Sequence, residues 1–125
     1  TSVLLWESGE EEFHNLSKQI LRLAQRFTAS FPIALPRLLI WEGVIAWREG
    51  EYKRAYGKWR ESARRARKMG LRYDEAIAEY RMGFHTGKAD PKRTLHLTRA
   101  VTLLKAMDTP WDLERAQAAL DATPN

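Results

Sequence analysis

The chain contains no cysteine among its 125 residues. That absence excludes disulfides, thiolate zinc ligands and cysteine nucleophiles, and it fits a reducing compartment, so a cytoplasmic location is expected. Long apolar runs are missing as well. The longest tight one lies around Leu38–Ile40, closely flanked by Arg37 and Glu42. A membrane-spanning helix needs roughly 20 such residues, so no membrane association is expected. No charged-then-apolar leader follows Thr1, so a signal peptide is not expected either. Alternating β-branched runs are scarce, which removes sheet architectures. Phosphate-cradling loops of the GxxxxGK[ST] or GxGxxG type and the HExxH zinc motif are absent. His14, His85 and His96 lie far apart in sequence, without paired ligand spacing. No catalytic residue, metal or cofactor is therefore expected, and the chain is read as a non-enzyme.

What is present describes a folded, helical protein. Hydrophobic residues make up 44% and charged residues 30%, a balance that supports a packed core and argues against disorder. The length suits one domain spanning 1–125, read as a piece of a longer protein. A net charge of +5 favours acidic partners without deciding the fold. Ala, Leu, Arg, Glu and Lys dominate, all good helix formers.

The punctuation predicts six helices. Ser8 with Glu11 reads as a capping box that starts a helix near Gly9. Phe13, Leu16, Ile20, Leu21, Leu23, Ala24 and Phe27 then form its apolar face, and Glu10, Glu11 and Glu12 complement its positive end. Ser30-Phe31-Pro32 breaks it. A second helix begins between Pro32 and Pro36 and runs through Trp47 to Gly50. A third spans Glu51 to Met69, with Gly70 as its cap. A fourth runs from Arg72–Asp74 to His85 or Thr86, before Gly87. Asp90-Pro91 and Thr109-Pro110 each give a cap followed by proline in the first turn. They open a fifth helix to Met107 and a sixth to Ala122. Short loops imply antiparallel neighbours.

On the third helix, at about 100° per residue, Tyr52, Ala55, Tyr56, Trp59, Ala63, Ala66 and Met69 share one side. Lys53, Arg54, Lys58, Arg60, Arg64, Arg65, Arg67 and Lys68 fill the other. One face is expected to be buried and the other basic, with Glu51, Glu61 and Glu75 partly neutralising it. Of the five tryptophans, Trp41 and Trp59 are expected in the core. His96, between Leu95 and Leu97, is expected in an interhelical hydrogen bond.

Two stretches, Leu39–Gly70 and Glu79–Met107, match each other in outline, and their helical glycines Gly43 and Gly83 stand 40 residues apart. A glycine inside a helix costs about 1 kcal/mol relative to alanine, which close approach of a second helix can justify. Gly43 and Gly83 are therefore expected contact points within each helix pair, with Trp59 filling the space beside the first.

Gly43, the Gly50-Glu51-Tyr52 turn, Ala55 and Trp59 resemble the tetratricopeptide repeat (TPR). The second unit departs from it, with Gly87-Lys88-Ala89-Asp90-Pro91 in place of the standard turn, and the offset exceeds the usual spacing of about 34 residues. The resemblance implies an all-α, TPR-like antiparallel helix-pair solenoid. Met69-Gly70, Tyr73-Asp74-Glu75-Ala76, His96-Leu97 and Trp111-Asp112-Leu113 extend it over about Phe31–Leu120. In that span the chain is similar to the C-terminal helical repeats of bacterial multidomain signalling proteins. Those join an adenylate or guanylate cyclase domain to an AAA/STAND-type ATPase, and STAND-type transcriptional activators carry similar repeats.

That likeness implies a regulatory interaction module whose partner is another protein or an adjacent domain of the parent chain. Mapped through Gly43 and Gly83, the family's partner-contacting positions fall at Arg37, Trp47, Arg48, Tyr80 and Phe84. The basic face of 53–72 offers an alternative, nucleic-acid binding, which ranks below a solvated helix face and below contact with an acidic protein surface. Apolar ends at the first and last helices leave self-association as a third possibility.

Overall fold

The computed structural model describes residues 2–123, and side chains from Glu11 onward except Phe13. Six α-helices account for most of it: α1 (Ser2–Ser30), α2 (Leu35–Arg48), α3 (Tyr52–Met69), α4 (Arg72–His85), α5 (Pro91–Lys105) and α6 (Pro110–Asp121). A short 3-10 turn, Pro32–Ala34, precedes α2, and the described residues contain no strand. Among the described residues, no helix is long and apolar enough to cross a membrane.

Local chemistry explains the boundaries. Gly50 and Gly70 hold φ of 82° and 74° in the two tight turns flanking α3, a left-handed conformation that glycine adopts without steric cost. Asp90 caps α5 by accepting from the Lys92 amide at 2.9 Å. Thr109 does not cap α6: its hydroxyl makes no cap hydrogen bond, and its oxygen is buried without a partner among the described residues. The expected start of α1 also shifts. The helix runs through Ser8 and Gly9 back to Ser2, because one glycine is too small a penalty to stop a helix whose preceding residues are compatible with it. Glu10–Glu12 therefore sit in its third turn, too far from the end to complement its dipole.

Consecutive helices pack antiparallel. On α3, Trp59 donates its indole N–H to the Ile40 carbonyl at 3.1 Å, and Ser62 donates to the Pro36 carbonyl at 2.6 Å. Trp59 is fully buried and lies directly over Gly43. Leu97 of α5 is likewise buried and presses on Gly83 of α4. Both helical glycines are the close-contact points that the spacing predicts. The same element thus occurs in two consecutive pairs, a backbone without a side chain under a large apolar one. Two buried clusters form the core. The first gathers Ile40, Ala46, Ala55, Trp59, Ala63, Ala78 and Met82; the second gathers Ala76, Ala100, Val101, Leu104 and Ala116.

Buried charges tie the pairs together. Glu79, 2% exposed, bonds His96 Nδ1 at 2.6 Å, the expected interhelical contact, with Arg67 and Arg99 each 3.7 Å away. Arg93 is also buried. Its Nη1 faces the carbonyls of Gly83, Phe84 and Thr86 at 2.9–3.1 Å, and its Nε donates to Thr123 at 2.8 Å. A cation at a helix C-terminus is favourable, since the last carbonyls lack intrahelical partners. Arg93 thus closes α4 and anchors the end of α6.

Several expected core positions are open instead. Leu16, Ile20, Leu23 and Phe27 are all more than half exposed. Among the described residues, helix α1 packs mainly on α2 and the 3-10 turn. It turns toward them a different stripe, His14, Ser17, Leu21, Ala24 and Thr28, which is half-buried to buried. Phe13 and Trp6 lie outside the residues whose side chains are described. Trp41 is more than half exposed for the same reason, since it faces the side where α1 covers α2 incompletely. Tyr52 and Met69, at the two ends of α3, are exposed, as is Trp111.

Candidate functional site

Side-chain hydrogen bonds link the N-terminal ends of alternate helices. Arg37 of α2 donates to Asp74 of α4 through Nε at 3.1 Å and Nη2 at 2.8 Å, across 37 residues. Tyr73 of α4 donates to Asp112 of α6 at 3.0 Å, across 39 residues. The near-equal offsets place α2, α4 and α6 as successive elements of one face.

On that face the sequence-derived positions separate. Tyr80 and Phe84, one turn apart on α4, stack at 5.6 Å. Arg115 of α6 lies over the Tyr80 ring at 5.9 Å and over the Trp111 ring at 4.7 Å. Cations over aromatic faces gain about 0.5–2 kcal/mol, so the guanidinium is held in place. Arg81, beside Tyr80, is half-buried and has no hydrogen-bond or carboxylate partner among the described residues. Burial pushes its guanidinium below the usual arginine range; Tyr80 opposes that shift, and Arg115 and Arg48 add repulsion. Arg48 therefore joins the cluster that its register assigns it to, together with Tyr80 and Phe84. The sequence reading missed Arg81, Arg115 and Trp111. The signal was available for the last two, because Trp111 and Arg115 form an i, i+4 pair on the next first helix.

Arg37 and Trp47 serve the fold more directly. Arg37 neutralises Asp74, which is 8% exposed. Trp47 packs on Tyr52 at 4.3 Å and on His85 at 4.2 Å. His85 stacks on Trp59 at 5.1 Å, filling the seam between α2, α3 and α4. Burial, with help from Arg81, lowers the His85 pKa to about 4, so its ring is neutral near pH 7.

Acidic neighbours largely compensate the basic back of α3. Arg54 pairs with Glu51 at 3.6 Å and Lys58 with Glu42 at 3.5 Å. Arg64 and Arg65 share Glu61 at 2.6 and 2.7 Å, and Arg67 takes Glu75 at 2.9 Å. Those two arginines hold Glu61 down to about 2, through hydrogen bonds above all. Lys53, Arg60 and Lys68 have no carboxylate partner among the described residues. They spread along roughly 22 Å of helix at 1.5 Å per residue. No group of three or more metal-ligating side chains occurs among the described residues. No protein-family model matches this chain, and neither curated proteins nor solved structures give a significant match.

Proposed function

We propose that this chain is a non-catalytic interaction module of TPR-like helix pairs, which receives an acidic protein segment across the face formed by α2, α4 and α6. The observation that carries this reading is Arg81. A half-buried guanidinium without a carboxylate partner, beside two more arginines, is costly in isolation, because desolvation and like charge both work against it. An incoming carboxylate relieves both costs, and charge-assisted pairs with arginine are strong and geometrically specific. Exposed Phe84 and Trp111 flank the cluster and supply the apolar anchoring that interfaces concentrate in aromatic and arginine residues. The partner is a separate protein or an adjacent domain of a longer signalling ATPase, nucleotide cyclase or STAND-type activator. In that setting, occupancy of the face reports to the rest of the chain.

Binding by the basic side of α3 to nucleic acid is the second reading. Its cations are mostly committed to Glu42, Glu51, Glu61 and Glu75, and the uncommitted ones are sparse, which disfavours a phosphate-tracking stripe.

Fluorescence anisotropy separates the two. The probes are a labelled peptide of Glu and Asp with one central Phe, its Gln/Asn counterpart, and a labelled single-stranded DNA. The acidic peptide is expected to bind, and Arg81→Gln to weaken it by about tenfold or more, equivalent to about 1.4 kcal/mol. Equal binding of the Gln/Asn peptide would refute the reading. So would tight DNA binding that Lys53→Gln and Lys68→Gln abolish and Arg81→Gln leaves intact.

A further inference from the structure

Helix α1 carries an apolar stripe that its own fold leaves open. Leu16, Ile20, Leu23 and Phe27 are spaced four, three and four residues apart, the a/d rhythm of a coiled-coil seam. Phe13 continues the rhythm in the sequence. At about 100° per residue, this stripe centres roughly 110° around α1 from the stripe that packs on α2. Helix α1 thus offers two distinct faces, one used within the chain and one free. Between them runs an apolar groove of about 440 Å³, lined by Ile20, Phe27, Leu38, Trp41 and Ile45 among others.

Charge arrangement on α1 selects an occupant. Taking Phe13, Ile20 and Phe27 as a positions, the exposed residues on the solvent flank of the seam are Glu12, Gln19 and Arg26. In an antiparallel pair of identical helices, these flanking positions meet each other across the dyad. With Gln19 opposite Gln19 of the second copy, Glu12 faces Arg26 of that copy, and Arg26 faces its Glu12. The same register sets Leu16 against Ile20 of the second copy, and Leu23 against its Phe13 position. A parallel pair instead brings Glu12 opposite Ser17, with no charge match.

We propose that α1 is a self-association helix, through which two copies of this chain pair antiparallel along Leu16, Ile20 and Leu23, with Phe27 at the end of the seam, fixed in register by reciprocal Glu12–Arg26 ion pairs. The two α2 helices flank the pair at near right angles around α1, so the groove with Trp41 becomes the centre of a four-helix bundle. This surface is separate from the cluster of Arg48, Arg81 and Arg115, and either can operate without the other.

Light scattering on the full chain, from about 5 to 500 μM, tests the pairing. A concentration-dependent dimer is expected, and Ile20→Glu, at an exposed position, is expected to give a monomer with an unchanged helical circular dichroism spectrum. Glu12→Arg and Arg26→Glu are each expected to weaken the dimer several-fold, and the double reversal to restore it. Both charge positions are solvent-exposed, so these variants keep their fold. A monomer at every concentration would overturn the proposal, as would a dimer indifferent to Ile20→Glu. Single reversals with no effect would overturn the antiparallel register.

Discussion

Replacing Gly43 with alanine adds one methyl at the tightest point of the fold. An ideal Cβ there falls within contact of the Trp59 indole nitrogen, 2.6 Å from Cδ1 and 2.8 Å from Cε2. The indole cannot simply retreat, since it is fully buried and its N–H holds the Ile40 carbonyl. Helix propensity alone favours the substitution by about 1 kcal/mol. Overpacking a dense core opposes it by about 1–3 kcal/mol, and breaking the buried indole hydrogen bond adds about 1–3 kcal/mol. The net expectation is a loss of about 1–5 kcal/mol, roughly 4–20 °C in Tm for a domain of this size. Gly57 supplies the control. It also lies inside a helix, but a Cβ there meets nothing within 4 Å, so Gly57→Ala is expected to gain up to about 1 kcal/mol. Urea denaturation followed by tryptophan fluorescence measures both. If Gly43→Ala were as stable as Gly57→Ala, the close-contact role of Gly43 would be wrong.

Other tests follow from the same geometry. His85 is neutral in the folded protein, with a pKa lowered from 6.5 to about 4, so its contribution to stability is full above about pH 6.5 and is lost as pH falls toward 4. That shift bounds the loss at about 3 kcal/mol, and partial solvent access reduces it to about 1–2 kcal/mol. Urea titrations from pH 7.5 to 4.5 on wild type and His85→Phe are expected to differ in slope over that window. Asp90→Ala removes a working N-cap and is expected to cost about 1 kcal/mol. Thr109→Val removes only an unpartnered buried hydroxyl, so it is expected to be neutral or slightly stabilising in the same assay.

Much of the architecture was legible because each boundary has a local cause. The glycines at 50 and 70 and the two prolines opening α5 and α6 act through backbone geometry that no distant contact needs to supply. Gly43 and Gly83 were legible from their matching places in two similar stretches 40 residues apart, a correspondence that Gly57 lacks. The start of α1 was not legible, because a capping box inside a longer helical stretch reads the same as one at its end. The burial of α1 and of Trp41 was not legible either. Spacing shows that a stripe is apolar, but the neighbour that would cover it is a matter of tertiary arrangement. Register alone picked out Tyr80, Phe84 and Arg48, and the structure brings Tyr80 and Arg48 near Arg81. Arg81 escaped it because its character depends on three arginines from three helices converging, a proximity that lies 33 or more residues apart in sequence for Arg48 and Arg115.

The most direct measurement is a ¹H–¹⁵N correlation titration of the labelled chain with the acidic peptide probe. Shifts are expected to concentrate at Arg81, Tyr80, Phe84 and Arg115 and at the Trp111 indole. They are expected to be absent from the basic positions between Lys53 and Lys68, and to need about tenfold or more peptide in Arg81→Gln. Shifts confined to the α3 positions, or a spectrum unmoved by the probe, would contradict the assignment of the α2/α4/α6 face as the binding surface.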